Sequence, residues 1–342
     1  MDAHPYSRLT PDLVLDAVAS AGLRPDGRLL TLNSYENRVY QVGVEDGPMV
    51  VAKFYRPGRW SDAQIDEEHA FARELKEHEI PVVAPEYSGT FEGFRFAVYP
   101  RRGGRTPELD DPKTLEWIGR FIARIHAVGA TKRFSHRPAL NLELFGKEPR
   151  SWLLEHRFIP PDLLPAWEAV TEQALQGVAR CYERAGEVKA IRLHGDCHAG
   201  NILWTEHGEM SGPHFVDLDD ARMGPAVQDL WMLLSGDRSS MTRQMLDVLA
   251  GYEDFMALDR RELHLLEALR TLRLIHYSAW IARRWDDPAF PPPSPGSTPS
   301  ATGRTGSSSC ASRSRSWTSR PWSSTNTAEV NEKRMDVSPT PR

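Results

Sequence analysis

The chain has 342 residues, of which 40% are hydrophobic, 26% charged and 9% aromatic, with a formal net charge of −5. That is material for one large domain or two with a sizeable core, and no apolar run approaches the ~18 residues of a membrane span. No basic-then-apolar leader opens the sequence and Cys181, Cys197 and Cys310 are too few for a disulfide framework, so a cytoplasmic setting is expected.

In chain order, Thr10–Ala21 reads as a short helix, with Thr10 as N-cap and Pro11 in the first turn. Arg28–Arg56 alternates apolar and polar residues and predicts three antiparallel strands, the second hairpin turning at Asp46-Gly47. Ser61 caps a helix running to about His78, with Ile65, Phe71 and Leu75 on one face. Pro81 and Pro85 break the chain, and two more strands follow around Glu92-Gly93, ending in FRFAVYP. Beyond the basic connector RRGGR, helical spacing dominates: Thr114–Val128 first, then segments at about 163–186, 226–235, 241–257 and 261–285. Two short apolar runs, NILW and HFVDL, interrupt them. The outline is an α+β, bilobal molecule: a sheet-rich N-terminal lobe over 1–98, a hinge over 99–105 and a mostly helical C-terminal lobe over 106–290.

Residues 291–342 differ. Positions 291–328 hold no Leu, Ile, Val, Met or Phe, too little apolar surface to offset an ordering cost of ~1–2 kcal/mol per residue, so disorder is predicted. The abrupt change near Phe290 raises a shifted reading frame as the alternative to a natural tail. This segment carries seven Lys/Arg and three Asp/Glu, which leaves a charge of −9 on residues 1–290. An acidic body argues against nucleic acid as the main partner and tolerates a cationic substrate. No extended apolar seam forces a dimer, so a monomer is expected.

The most informative segment is LHGDCHAGNILW at 193–204 with VDLDD at 216–220. An Asp five residues before an Asn, followed by an Asp at the end of a second strand, is the layout that nucleotide phosphoryl transfer needs. Asp196 would orient the attacking hydroxyl and accept its proton. Asn201 and Asp217 would offer hard oxygens to magnesium on the phosphates of ATP, which makes Asp217 part of the catalytic set as well. His194, Cys197 and His198 lack a fourth partner for a zinc site, so His194 reads as a residue that fixes the loop and Cys197 as a bystander. Asp219, Asp220 and Asp229 read as helix caps or loop hydrogen-bonders, with a place near the metal open to Asp219.

Lys53, in the strand MVVAKFY, must face solvent or meet an anion. In a nucleotide-binding lobe it would contact phosphates and pair with a glutamate on the 61–78 helix. Glu68 is preferred because it shares a stripe with Phe71 and Leu75, and Glu67 competes. No glycine-rich phosphate loop exists; the turn Leu32–Arg38 offers backbone N–H groups and the Ser34 hydroxyl instead.

These motifs, with LNSYENRVYQ and VAKFYRP, resemble the bacterial stress response kinase A family, in the aminoglycoside-phosphotransferase and choline-kinase-like branch of the protein-kinase-like fold. The resemblance covers roughly residues 5–290. It implies an ATP- and magnesium-dependent kinase of protein serine or threonine linked to stress survival. It also implies Asp196 as catalytic base, Asn201 and Asp217 as metal ligands, Ser34 and Lys53 at ATP, and the backbone of Val98, Tyr99 and Arg101 at adenine. The family normally continues past Asp-Pro-Ala-Phe with an aromatic-rich segment, from which this chain diverges near Pro291. Asp229 follows Asp217 by only twelve positions, and no A-P-E sequence follows, so the segment on which protein kinases dock peptide is missing. A small amino alcohol or antibiotic is therefore the alternative acceptor, and a nucleotide-binding pseudoenzyme that docks partners is the alternative of another class.

Overall fold

A computed structural model describes residues 4–32, 34–206, 211–285 and 287. The expectations for residues 291–342, including Cys310, lie outside the described residues. Helix α1 (Pro11–Ser20) starts on Thr10, whose hydroxyl accepts from the Leu13 N–H at 3.2 Å. It buries Val14, Ala17 and Val18 against one face of a five-stranded antiparallel sheet. The strands are β1 (Pro25–Leu32), β2 (Arg38–Val44), β3 (Val50–Phe54), β4 (Tyr87–Phe91) and β5 (Phe94–Pro100), in spatial order β1-β2-β3-β5-β4. Asp46 (φ 54°), Glu92 (φ 46°) and Gly93 (φ 84°) take the left-handed conformation that the two tight hairpins demand.

Between β3 and β4 runs α2 (Asp62–Glu77). Ser61 and Gln64 close a reciprocal capping box at its start. The strands alternate, so Val50, Ala52, Phe54, Phe96 and Val98 serve the core shared with α1. Ala97 and Tyr55 turn to the opposite face, where they meet Ile65 of α2. Lys53 is on that second face too.

The helical part contains α3 (Pro112–Gly129), α4 (Glu148–Glu155) and α5 (Leu164–Ala185). After residues 191–224 come α6 (Val227–Trp231), α7 (Arg238–Tyr252) and α8 (Leu266–Ala282). Two small ribbons lie among them: β6 (Ile191–Leu193) with β9 (Arg222–Gly224), and β7 (Ile202–Thr205) with β8 (Gly212–Phe215). Helices α3 and α7 touch backbone to backbone: a Cβ on Gly119 would stand 2.1 Å from the Val248 carbonyl oxygen, and one on Gly251 would stand 1.8 Å from that of Glu116. Arg105 exchanges backbone hydrogen bonds with Trp204 at 2.9 and 2.7 Å, so the connector after β5 is pinned to β7. No described helix is long and apolar enough to cross a membrane.

The arrangement is the α+β one expected, a sheet-rich N-terminal part followed by a mostly helical one, with local corrections. The helix read as 226–235 ends at Trp231, followed by Ser235 and a left-handed Gly236. The next begins at Arg238, three residues earlier than expected, because Asp237 caps it by accepting from the Ser240 N–H at 2.7 Å. The 261–285 segment opens as a 3-10 stretch over Arg260–Leu265 before becoming α8. A π-helical turn at Glu143–Lys147 and α4 were not anticipated. Pro149 occupies the first turn of α4, where a missing N–H is harmless, and Gly146 admits Leu175 and Leu272.

Candidate active site

The segment after β6 is held by a buried carboxylate. Asp229, in α6, accepts from the backbone N–H groups of His194 (2.8 Å) and Gly195 (2.9 Å) and meets the His126 ring at 3.0 Å. The His194 ring lies 2.9 Å from the Val216 carbonyl, so this histidine fixes the loop as expected. Gly195 has φ +84°, and a Cβ there would fall 2.1 Å from the Asp220 carbonyl oxygen. Only glycine permits that approach. The Cys197 thiol is fully buried and burial pushes its pKa well up, the opposite of a nucleophile's environment.

The fixed loop delivers Asp196 to a cleft of about 670 Å3 that Asn201, Asp217 and Ser34 also line. The Asn201 side-chain amide donates to the Asp196 carbonyl at 2.9 Å, which turns its oxygen the other way. The β7–β8 register pairs Ile202 with Phe215, and the Val216 N–H donates to the Asn201 carbonyl at 3.0 Å. Asn201 and Asp217 therefore end the same hairpin. Asp217 is left-handed at φ 60°, a strained conformation for a non-glycine residue, and its side chain is 52% exposed. One amide oxygen and one accessible carboxylate suit magnesium, which keeps waters and substrate phosphates as its remaining ligands. Among the described residues no group of three or more His, Cys, Asp or Glu is arranged to hold a metal by itself.

Behind Asp217 lies an ion cluster. The Lys53 ammonium, with a side chain 7% exposed, stands 2.9 Å from Asp217, 3.2 Å from Asp219 and 3.7 Å from Glu68. Burial alone would depress the Lys53 pKa; these three carboxylates overcome it and hold the amine firmly charged. Glu68 is pushed upward by burial against the pull of Lys53. Asp219 is desolvated as well, but Arg59 and Lys53 bring it below the ordinary carboxylate range. Arg137 closes the cluster, donating to Glu68 at 3.1 Å and to the carbonyls of Asp219 (2.6 Å) and Ala221 (3.0 Å). Glu67 faces elsewhere and accepts from the N–H groups of Ser135, His136 and Arg137 at 2.5, 2.9 and 2.9 Å.

The glycine-free turn before β2 is shaped by side chains. Asn37 accepts from the Arg56 N–H at 3.1 Å and donates to Asp219 at 3.2 Å. Glu36 accepts from the Trp280 indole at 2.6 Å and from Arg284 at 2.8 Å. Asn33 lies outside the described residues. The backbone expected at adenine is not part of the cleft. Val98 packs in the sheet core and its carbonyl accepts from the Glu86 N–H at 2.8 Å. The Tyr99 hydroxyl meets that of Tyr55 at 3.0 Å, and Arg101 donates to Gln41 at 3.0 Å. The structure thus gathers Ser34, Asp196, Asn201 and Asp217, with Lys53 and Glu68 behind them, and leaves Val98, Tyr99 and Arg101 along β5 and its exit.

Sequence reasoning missed two arginines. Arg273 of α8 stands 2.6 Å from an Asp196 carboxylate oxygen, and His198 lies 3.5 Å from the other. Burial would raise the Asp196 pKa; the His198 hydrogen bond and the Arg273 charge together hold it below the usual value. Arg137 is the second. Neither sits in a motif, and no spacing rule links them to partners so far along the chain.

Residues 29–286 match the phosphotransferase enzyme family. Stress response kinase A of Escherichia coli (strain K12) is 46% identical over 294 residues, which is 84% of this chain and 88% of that protein. The serine/threonine protein kinase RdoA of Salmonella typhimurium is 44% identical over 295 residues, 85% of this chain and 88% of that one. Among solved structures, an amicoumacin kinase in complex with AMP-PNP, Ca2+ and Ami superposes with TM-score 0.68 at 18% identity, covering 87% of this chain and 92% of its own. A microcompartment-associated aminopropanol kinase does so with TM-score 0.65 at 17% identity, covering 89% and 95%.

Proposed function

From the premise that the chain belongs to the phosphotransferase enzyme family, we propose that it transfers the γ-phosphoryl group of ATP to serine or threonine hydroxyls of proteins. The observation that carries the reading is the shared cleft of Asp196, Asn201 and Asp217, with Lys53 bonded to Asp217. In the reaction the acceptor oxygen forms a bond to the γ-phosphorus, the bond to the β–γ bridging oxygen breaks, and ADP leaves. Asp196 orients the hydroxyl and takes its proton, which passes on to solvent. Asn201 and Asp217 hold magnesium, which supplies charge neutralisation on the phosphates. Lys53, kept charged by its carboxylates, binds phosphate oxygens, while Ser34 and the turn before β2 cover them. The adenine contact is assigned to the backbone of residues 98–101 on the family resemblance alone, outside the cleft that Asp196 lines.

The protein acceptor is favoured by relatives of 44–46% identity that are named as stress response or serine/threonine kinases, whereas the small-molecule kinases match only in fold. The second reading, a small hydroxyl compound, draws on the short path from Asp217 to Asp229, which holds a 3-10 turn, β9 and the start of α6. Incubation with labelled ATP and a fractionated bacterial lysate separates the two. Label on protein that disappears with Asp196→Asn supports the first reading, and label confined to small solutes supports the second.

A further inference from the structure

Helix α8 presents Arg270, Arg273, Tyr277 and Trp280 to the catalytic cleft at spacings of three, four and three, which is one helical face. Arg273 reaches Asp196, so this face borders the position of the acceptor hydroxyl. Tyr277 is 50% exposed and stacks on Trp280 with ring centres 5.4 Å apart. The Arg270 guanidinium lies 5.9 Å from the Trp231 ring, pairs with Glu267 at 3.6 Å and donates to the Met241 sulfur at 2.8 Å, while its Nε–H is buried with no acceptor.

The five carboxylates among the described residues lining the cleft already have cations. Glu36 holds Arg284, Asp196 holds Arg273 and Asp217 holds Lys53. Asp219 is paired with Lys53 and Arg59, and Asp220 with Arg59 and Arg222. A cationic acceptor would have to displace one of these partners and lie beside two guanidinium groups of α8, a like-charge arrangement that disfavours it. An anionic acceptor meets the reverse: Arg273 uses one edge of its fork on Asp196, and the planar group has five N–H donors in all. The acidic body of the chain, which by itself tolerates a cationic substrate, is contradicted locally by this wall.

Resting on the protein-acceptor reading above, we infer that the phosphorylated serine or threonine is flanked within a residue or two by carboxylate side chains, which Arg270 and Arg273 bind. Tyr277 and Trp280 receive the apolar stems of the same segment.

The test uses the full chain with ATP and magnesium and three synthetic peptides of one sequence, with the serine flanked by Glu, Gln or Lys. A hydroxy acid and an amino alcohol serve as small acceptors. The expected result is a kcat/KM at least ~10-fold higher for the Glu-flanked than for the Lys-flanked peptide, equivalent to one opposite-charge contact of about 1.4 kcal/mol. That ratio shrinks in Arg270→Gln and inverts in Arg270→Glu, mainly through KM. Preference for the Lys-flanked peptide, or a ratio unmoved by either variant, overturns the inference. Turnover of the hydroxy acid but of no peptide removes the protein acceptor and keeps the anionic preference. Turnover of the amino alcohol alone removes both, and no turnover of any acceptor removes the phosphotransfer reading and this inference with it.

Discussion

Asp196 owes its placement to neighbours that each do one thing: Asn201 holds its backbone carbonyl, Asp229 holds the two preceding N–H groups, and Arg273 meets its carboxylate. Replacing Asp196 by Asn keeps this frame but removes the proton acceptor. We expect kcat to fall by about 10²–10⁴-fold with little change in thermal unfolding, and an equal loss in activity and stability would contradict the assignment. Gly195→Ala acts through geometry, since its Cβ would meet the Asp220 carbonyl at 2.1 Å in a left-handed conformation. Both the unfolding temperature and kcat should drop there, whereas a Gly22→Ala control has open space around it and shares only the left-handed strain. At this scale the motif residues were legible, because Asp196, Asn201 and Asp217 occur at spacings set by the chemistry. The choice of Glu68 over Glu67 was legible from the stripe it shares with Phe71 and Leu75, and the structure puts Glu68 beside Lys53. Arg273 and Arg137 were not, since a pairing formed between distant segments leaves no local pattern.

Among the elements, those with strong local signals were read well: α1 and α2 announce themselves by caps, and the hairpins by Asp46-Gly47 and Glu92-Gly93. Three-residue strands such as β6 and β9 carry too little periodicity to be seen, and α4 was hidden by a proline in its first turn. The start of α6 depends on a residue that spacing does not reveal. The Glu262 carboxylate accepts from the Val227 N–H at 2.9 Å, and burial raises its pKa to about 7 from an ordinary 4.5. A carboxyl raised on folding favours its neutral form, so its stabilising contribution is complete below about pH 4.5 and is lost as pH rises through about 7. Glu262→Gln keeps an acceptor and cannot ionise. The unfolding temperature of the parent should therefore fall relative to Glu262→Gln between pH 4.5 and 8, and a gap constant with pH would contradict this origin. The α3–α7 contact makes a second claim: Gly119→Ala forces two backbones apart and should destabilise by about 1–3 kcal/mol in urea unfolding, unlike an exposed Gly103→Ala.

Across the whole molecule, the sheet and the helical part are joined through buried ions. Asp287 pairs with Arg38 at 2.9 Å and with Arg56, and Glu36 ties the turn before β2 to Trp280 and Arg284 at the end of α8. Removing one member leaves buried charge uncompensated, at a cost of about 3–5 kcal/mol. Asp287→Ala should lower the urea midpoint and raise KM for ATP together, because Arg56 also touches Glu36 in the turn. A change in stability alone would mean that the turn does not depend on the tie. The bilobal outline was legible from the shift of periodicity after Pro100, but these ties were not, for they join residues more than 200 positions apart. The account as a whole requires one divalent ion shared by Asn201 and Asp217 next to Asp196. Crystals grown with manganese and a non-hydrolysable ATP analogue test it through the anomalous signal of the metal. The predicted peak lies within about 2.0–2.3 Å of the Asn201 amide oxygen and an Asp217 carboxylate oxygen; a metal bound to the nucleotide but distant from both side chains would contradict the site.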